Sequence, residues 1–195
     1  KAIEPRKFTF PKDHGSHAGF QTEWWYFTGN LKTDAVREFG YQFTIFRRAL
    51  DPKDAAVRGR ASKWAANDIY IGHLAISDIE ARRFYFKEEA RRGVMDIAGA
   101  EAARVWIGRW EMQRTGDGWK LRAQAEDAGT PIALELALVE TIPPVLHGRP
   151  GEEGLSRKGP NPGQASYYYS VPHLKTSGSL NVNGKTFAVT GRSWM

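Results

Sequence analysis

The stretch Glu23-Trp24-Trp25-Tyr26-Phe27-Thr28-Gly29-Asn30-Leu31 decides the fold of this chain. Side chains of a β-strand alternate between its two faces. Here both faces are bulky and largely apolar. We therefore expect one face to line the interior of a barrel or sandwich and the other face to be covered by further protein. Two interpretations stay open: a structural aromatic strand, or a pocket wall that carries a buried acid. One face holds Glu23, Trp25 and Phe27, and the other holds Trp24, Tyr26 and Thr28.

The same alternation recurs along the chain and predicts an all-β, antiparallel domain. In 119–126, for example, apolar and polar residues alternate, and Asn183-Gly184 is a strong signal for a two-residue hairpin turn. About nine or ten strands indicate a barrel or a strongly curved sandwich. Glycines interrupt the helical spacing at 53–66 and 88–103, so we expect little helix. The predicted strands are 23–31, 39–48, 69–79, 82–88, 104–114, 119–126, 132–139, 165–171, 177–183 and 186–194.

The composition excludes several classes of protein. The chain has 195 residues, no cysteine, and 28 Lys and Arg against 22 Asp and Glu, which gives a net charge of +6. Without cysteine there is no disulfide framework and no thiolate chemistry. The basic residues are dispersed, so we expect no nucleic-acid binding and only a weak attraction to membrane surfaces. No segment has the length and hydrophobicity of a transmembrane helix.

Glu23 is the candidate catalytic acid. A carboxyl group buried among aromatic rings without a cationic partner has a raised pKa, which suits a general acid near neutral pH. We expect it beside Trp25 and close to His14, His73 or Tyr168. His73 has two interpretations: a core histidine satisfied by one partner, or a member of a proton relay with Glu23 across the barrel.

His14 and His17 precede Glu23 in the segment Pro11-Lys12-Asp13-His14-Gly15-Ser16-His17. Two histidines and a carboxylate are possible metal ligands. However, Gly15 indicates a loop, and no third strong ligand follows at regular spacing. We therefore expect no metal site, and we expect Asp13 and His14 to attach this loop to the sheet through hydrogen bonds.

Tyr167-Tyr168-Tyr169 directs phenol rings to both faces of a strand, either for cross-strand packing or as a pocket wall. The segment 143–164 is rich in Pro and Gly, which suits a linker or a loop across a barrel mouth equally well. Residues 186–194 read as a strand that Met195 ends without a turn. From this we expect a longer protein and an uncovered apolar patch near Trp194.

At several places the sequence resembles the AttH-like proteins, which are related to carotenoid 1,2-hydratases and often described as predicted secreted hydrolases. The resemblance is carried first by Phe10-Pro11-Lys12-Asp13-His14-Gly15 and by Thr22-Glu23-Trp24-Trp25-Tyr26-Phe27-Thr28-Gly29-Asn30-Leu31. Later stretches agree with it. They are Gly72-His73, Ser156-Arg157-Lys158-Gly159, Ala165-Ser166-Tyr167-Tyr168-Tyr169-Ser170 and Thr190-Gly191-Arg192-Ser193-Trp194-Met195.

The resemblance implies a lipocalin-like barrel over residues 1–195, the first of two in a longer protein, and a periplasmic or secreted location. In that family the stretch ending in Trp194-Met195 normally continues into Asp, Arg or His, and Glu. The related hydratases protonate an isoprenoid double bond and trap the cation with water. Such chemistry requires a buried acid, an apolar pocket and aromatic faces, and no cofactor.

Three functions compete at this stage. The first is a module that binds an apolar small molecule or lipid. The second is a hydratase or hydrolase acting on an apolar substrate, with Glu23, His14 and His73 as candidate catalytic residues. The third is a purely structural half that packs on the second lipocalin-like domain of the same chain. The candidate ligand-binding residues are Trp24, Trp25, Tyr26, Tyr167, Tyr168, Tyr169 and Trp194.

Overall fold

The structure of the protein is a computed structural model that describes residues 1–50 and 66–195. Within these residues it contains a single short 3-10 turn, Lys12–His14, and fifteen strands. The longer strands are β1 (Thr22–Lys32), β2 (Glu38–Ala49), β3 (Asp68–Asp78), β4 (Arg83–Arg92), β8 (Gly118–Asp127), β9 (Thr130–Glu140), β14 (Leu174–Val182) and β15 (Lys185–Trp194). The shorter ones are β5 (Ala98–Ala100), β6 (Arg104–Ile107), β7 (Trp110–Arg114), β10 (Val145–Leu146), β11 (Leu155–Arg157), β12 (Ala165–Tyr167) and β13 (Tyr169–Ser170).

Eleven strands form one antiparallel sheet in the order β4-β3-β2-β1-β15-β14-β9-β8-β7-β6-β5. The sheet curls until its ends approach each other, and it is nearly closed into a barrel. Between the two sides, the Phe86 amide of β4 donates a hydrogen bond to the Asp127 carboxylate at the end of β8 (3.3 Å). The all-β prediction is therefore confirmed.

Large side chains fill the interior of the barrel. Alternation along β1 directs Trp25 and Phe27 inward, with 3% and 0% of their surface exposed. Gly72 is required at its position because a Cβ atom there would lie 2.7 Å from the Trp110 ring. The largest fully buried side chains are Trp110, Trp119, Phe27, Phe39, Phe43, Leu31, Ile45, Leu74, Ile76, Ile107, Met112 and Leu121.

Several predicted boundaries were wrong. The single strand expected at 104–114 is two strands, because Gly108 adopts a positive φ of 56° and turns the chain between them. The helical spacing at 88–103 gives no helix: β4 continues to Arg92 because it pairs with β3 along its length, and β5 follows at 98–100. The other helical spacing, at 53–66, lies almost wholly outside the described residues.

The Pro- and Gly-rich segment 143–164 returns to the body of the domain. It contributes β10 and β11, which pair with β13 and β12. Gly154 contacts the Phe8 ring, and a Cβ atom at Gly154 would lie 2.3 Å from it. The Tyr167 hydroxyl, just beyond this segment, donates to the Glu4 carbonyl (2.8 Å). These contacts fold the segment 143–170 and the N-terminal residues together at one end of the barrel.

Candidate functional site

A cavity of about 330 Å³ lies at this end of the barrel. One wall is residues 21–26 of β1 and the turn before it, and the opposite wall is residues 165–169. The cavity lies beside the part of β1 that pairs with a neighbour on one side only. Strand β2 pairs with β1 from Thr22 to Lys32, whereas β15 pairs with it only from Thr28 onward.

Most of the predicted ligand-binding residues line this one cavity. Trp194 is the exception: it lies beside Thr28 in the register, with 40% of its surface exposed, and its neighbour Met195 borders the cavity instead. Neither His14 nor His73 lines the cavity. The predicted residues that do are Glu23, Trp24, Trp25, Tyr26, Tyr167, Tyr168 and Tyr169.

Aromatic rings from separate segments meet across the cavity. The Trp24 ring lies 6.0 Å from Tyr168, which stacks on His147 at 4.3 Å. Phe20 meets Tyr167 edge-on at 5.5 Å. Such rings offer large apolar faces at well-defined positions, which favours a flat or unsaturated apolar ligand.

Beside the rings runs a chain of six side chains with alternating charge, which we call the ion chain. It begins with Arg6, whose Nη2 lies 2.9 Å from Asp13 Oδ1. His17 then joins Asp13 to Glu23, with its Nε2 and Nδ1 each 2.8 Å from a carboxylate oxygen. Arg47 joins Glu23 to Asp68, again at 2.8 Å on each side. Each inner member therefore has an oppositely charged neighbour on both sides.

Glu23 is thus ion-paired, and the expectation that it lacks a cationic partner was wrong. Arg47 stands directly opposite Glu23 on β2 and is 3% exposed. Its guanidinium also donates to the carbonyl oxygens of His17 (2.9 Å) and Phe20 (2.8 Å). Because Tyr41, Phe43 and Ile45 point inward, alternation places Arg47 inward as well. This signal was present in the sequence.

The ion chain shifts the pKa values of His17 and Asp13. The hydrogen bond to Glu23 raises the pKa of His17, with Asp13 adding to the effect, and together they outweigh burial and the nearby Arg6 charge. Burial acts to raise the pKa of Asp13, but the Thr9 amide, the His17 ring and the Arg6 charge together lower it. The two carboxylates therefore favour the imidazolium form of His17.

His14 lies behind the cavity wall. It is 2% exposed, and its Nδ1 lies 2.9 Å from the Tyr169 hydroxyl. Its carbonyl accepts a hydrogen bond from the Trp25 indole (2.9 Å), while the Asp13 carboxylate accepts one from the Thr9 amide. His14 thus attaches the 3-10 turn to β1 and β13, whereas the Asp13 carboxylate bonds to Arg6, Thr9 and His17 of the same N-terminal segment.

His73 is on the outer face of the sheet, so the proposed relay with Glu23 across the barrel was wrong. Its Nε2 lies 2.9 Å from Glu88 on the neighbouring strand. Its ring packs against Phe46 and Phe86 at 5.4 and 5.7 Å. Alternation explains the position, because Leu74 and Ile76 of the same strand point into the core.

The acidic groups of the ion chain are already paired with basic side chains of the protein. In the parts of the chain that the structure describes, no group of three or more His, Asp or Glu side chains is arranged to hold a metal ion. Across residues 1–50 and 66–195 there is also no helix with the length and hydrophobicity needed to span a bilayer.

Comparison with known proteins identifies the family, since the AttH-like family matches residues 1–195 in full. The chain belongs to the AttH-like family. A Nitrosomonas europaea protein assigned as an AttH has a solved structure that is 35% identical, with a TM-score of 0.83 over 99% of this chain and 55% of that one. No curated protein matches the chain.

The AttH-like chain also shares its fold with kievitone hydratase from Nectria haematococca. That structure is 13% identical, with a TM-score of 0.64 over 99% of this chain and 54% of the hydratase. At this identity the likeness concerns the fold alone. The chain therefore spans about half the length of each of these two solved structures.

Sequence reasoning missed several residues at the site. Arg6, Phe8 and Phe20 line the cavity although they lie outside any strand. The sequence pattern marks Asp13 only as a loop anchor and His17 only as a possible metal ligand. No periodicity marks such residues, because the loops that carry them are positioned by tertiary contacts.

Proposed function

We propose that this AttH-like chain binds a predominantly apolar small molecule or lipid, with aromatic or isoprenoid character, in the cavity beside Glu23. The observation that carries the proposal is the cavity itself. It gathers aromatic rings from three segments of the chain, while the interior of the barrel is occupied by large side chains. The ion chain supplies paired charges along one side of the cavity, which can orient a polar group on the ligand.

Binding of a neutral, environment-sensitive dye, 1-aminoanthracene, tests this proposal. Trp24→Ala should weaken dye binding about tenfold, which corresponds to about 1.4 kcal/mol for the loss of one aromatic wall. The matched control is Trp194→Ala. The two tryptophans lie on neighbouring strands and are similarly exposed, at 37% and 40%, but only Trp24 lines the cavity. Equal losses in the two variants, or no dye binding by the unmodified chain, would refute the assignment of the cavity.

A second candidate function is hydration or hydrolysis of such a ligand by acid–base chemistry in the whole protein, without a cofactor. The observation that favours it is His17, a proton-bearing ring placed on the cavity wall between two carboxylates. Because Glu23 is ion-paired with Arg47, His17 is the better candidate for the proton donor, and Glu23 for the group that raises the pKa of His17. Loss of turnover in His17→Gln of the full-length protein, with dye binding retained, would favour this second function.

Three further features of the whole protein remain proposals. A second lipocalin-like domain would cover the outer face of β1 and β15, where Trp24 and Trp194 are exposed. A periplasmic or secreted location rests on the family resemblance. A weak attraction to anionic membrane surfaces rests on the net charge of +6.

A further inference from the structure

Strand β1 presents an open backbone edge to the cavity. Among the described residues, 22–27 of β1 have a partner strand on the β2 side alone. In an antiparallel pair, the N–H and C=O groups of successive residues point alternately toward and away from the partner strand. The Ala49 amide donates to the Gln21 carbonyl (2.8 Å) in continuation of the β1–β2 register, so the odd-numbered residues of β1 bond to β2. The backbone groups of Trp24 and Tyr26 therefore point toward the cavity, which both residues line.

The opposite wall of the cavity presents a second open edge. The Tyr168 amide donates to the Gly154 carbonyl, and the Tyr168 carbonyl accepts from the His147 amide, both at 3.0 Å. Both backbone groups of Tyr168 therefore point away from the cavity. By the same alternation, the backbone groups of Tyr167 and Tyr169 point toward it, and within the described part of the chain they have no backbone partner there.

The space between the two edges lies in line with β15. Strand β15 pairs with β1 on one side. On its other side, Met195 and Val171 exchange two backbone hydrogen bonds, of 2.8 and 3.1 Å. Where the cavity begins, its two walls are therefore separated by the width of one strand. We call this space, between residues 22–26 and 165–169, the slot.

The two open edges select the chemistry of a ligand in the slot. Backbone N–H and C=O groups that are enclosed by protein require hydrogen-bond partners. A trans secondary amide points its C=O and its N–H in opposite directions, so a single amide can accept from one edge and donate to the other. An ester or a ketone of the same shape offers only the acceptor. Addition of an extended chain to an open strand edge is a common mode of recognition.

We propose that the slot binds the secondary amide of an extended apolar chain, which lies in line with β15 and hydrogen-bonds to both edges. This assignment rests on the proposed function, because the slot is part of the proposed ligand cavity. It narrows the ligand class to apolar amides, such as an N-acylated amine or an apolar peptide. The rings of Trp24 and Tyr168, 6.0 Å apart, favour apolar groups beside the amide.

Hydrogen exchange of the full-length protein, resolved by residue, tests the open edge of β1 without any ligand. The Trp24 and Tyr26 amides should exchange about a hundredfold faster than those of Trp25 and Phe27, which bond to β2. Slow exchange at Trp24 and Tyr26 would overturn the proposal, because another part of the protein would then already pair with this edge.

A matched pair of probes, N-benzylhexanamide and benzyl hexanoate, tests recognition of the amide. The two molecules differ only in the N–H group, which an oxygen atom replaces in the ester. Simple partition into an apolar pocket would favour the ester, since it is the less polar molecule. In competition with 1-aminoanthracene, the amide should instead bind about fivefold more tightly, which is the ratio expected for one hydrogen bond.

Proline and alanine variants at the two free positions of β1 form the matched controls. Trp24→Pro and Trp24→Ala both remove the indole ring, but only proline also removes the N–H that points into the slot, and it leaves the bonds to β2 in place. Tyr26→Pro and Tyr26→Ala repeat the comparison. The preference for the amide should persist in both alanine variants and be lost in at least one proline variant. Its persistence in every variant that folds would overturn the proposal.

The outcomes separate amide recognition from the proposed function. Equal binding of the amide and the ester would refute amide recognition, while displacement of the dye by both would still support the proposed function. Calorimetric binding of the amide without any binding of the dye would refute the proposed function and support amide recognition. Acetylated trileucine amide distinguishes the source of the chain. Tighter binding than that of N-benzylhexanamide identifies a peptide, and weaker binding identifies an N-acylated amine.

Discussion

His14 and His17 lie three residues apart at the same end of the barrel, yet their environments are opposite. His17 is 24% exposed and touches a carboxylate with each ring nitrogen, so its pKa is raised. His14 is 2% exposed, and burial together with the Arg114 charge lowers its pKa to about 4. The segment 12–17 therefore presents to the cavity a histidine whose charged form is favoured, and it keeps a neutral histidine behind the cavity wall. The partners and the burial of each ring, and not the residue type, determine its charge.

The largest effect is expected where the ion chain is most buried, at Arg47. Arg47→Met should lower the free energy of unfolding by about 3–5 kcal/mol, because the Glu23 and Asp68 carboxylates lose the cation that lies between them. Urea unfolding near pH 7 measures the change. The neighbouring Arg48→Met is the control, since Arg48 is exposed and donates to the Thr22 hydroxyl (3.0 Å). Similar losses of unfolding free energy in both variants would show that the ion chain stabilises the fold no more than an exposed arginine does.

A second prediction uses pH to separate the two histidines. The unfolded chain protonates His14 near pH 6.5, whereas the folded protein takes up this proton only near pH 4. Stability should therefore fall as the pH falls from 6.5 to 4, by about 3 kcal/mol at roughly 1.4 kcal/mol per pH unit. His14→Gln should remove this loss.

The His17 contribution has the opposite sign. Because the folded-state pKa of His17 is raised, its stabilisation is complete below pH 6.5 and disappears as the pH rises through the folded-state value. His17→Gln should abolish that alkaline loss and leave the acid-side loss in place. Urea midpoints measured between pH 4 and 9 for both variants check these two predictions. Identical pH profiles of the two variants would contradict the opposite signs expected for His14 and His17.

The smallest effect is expected at His73, which lies on the outer face of the sheet and contacts neither His14 nor His17. Its partner Glu88 is 59% exposed, and solvent-exposed ion pairs contribute about 0–1 kcal/mol. Glu88→Gln should therefore change the free energy of unfolding by less than about 1 kcal/mol. His73→Gln should leave 1-aminoanthracene binding unchanged. A clear loss of dye binding would connect the outer face of the sheet to the cavity.

The sequence by itself determined the all-β architecture and most of the strands. A period of two is imposed by the strand backbone, so apolar alternation reports directly on which face is buried. The same rule applies to the aromatic run at 23–27 and to the tyrosines at 167–169. The seven site residues predicted in these two stretches, 23–26 and 167–169, all border one cavity. Local sequence also carried the hairpin signals, because turn geometry depends on a few adjacent residues.

Only the tertiary structure decided the charges. Glu23 meets Arg47 across two strands, and His17 reaches Asp13 and Glu23 through a loop that has no periodicity. His73 faces outward because the neighbouring strands fix which side of β3 the core covers. Contacts between segments more than a hundred residues apart, such as His14 with Tyr169, define the burial and the partners of each titratable group. Burial and partners set a pKa, and neither is a local property of the sequence.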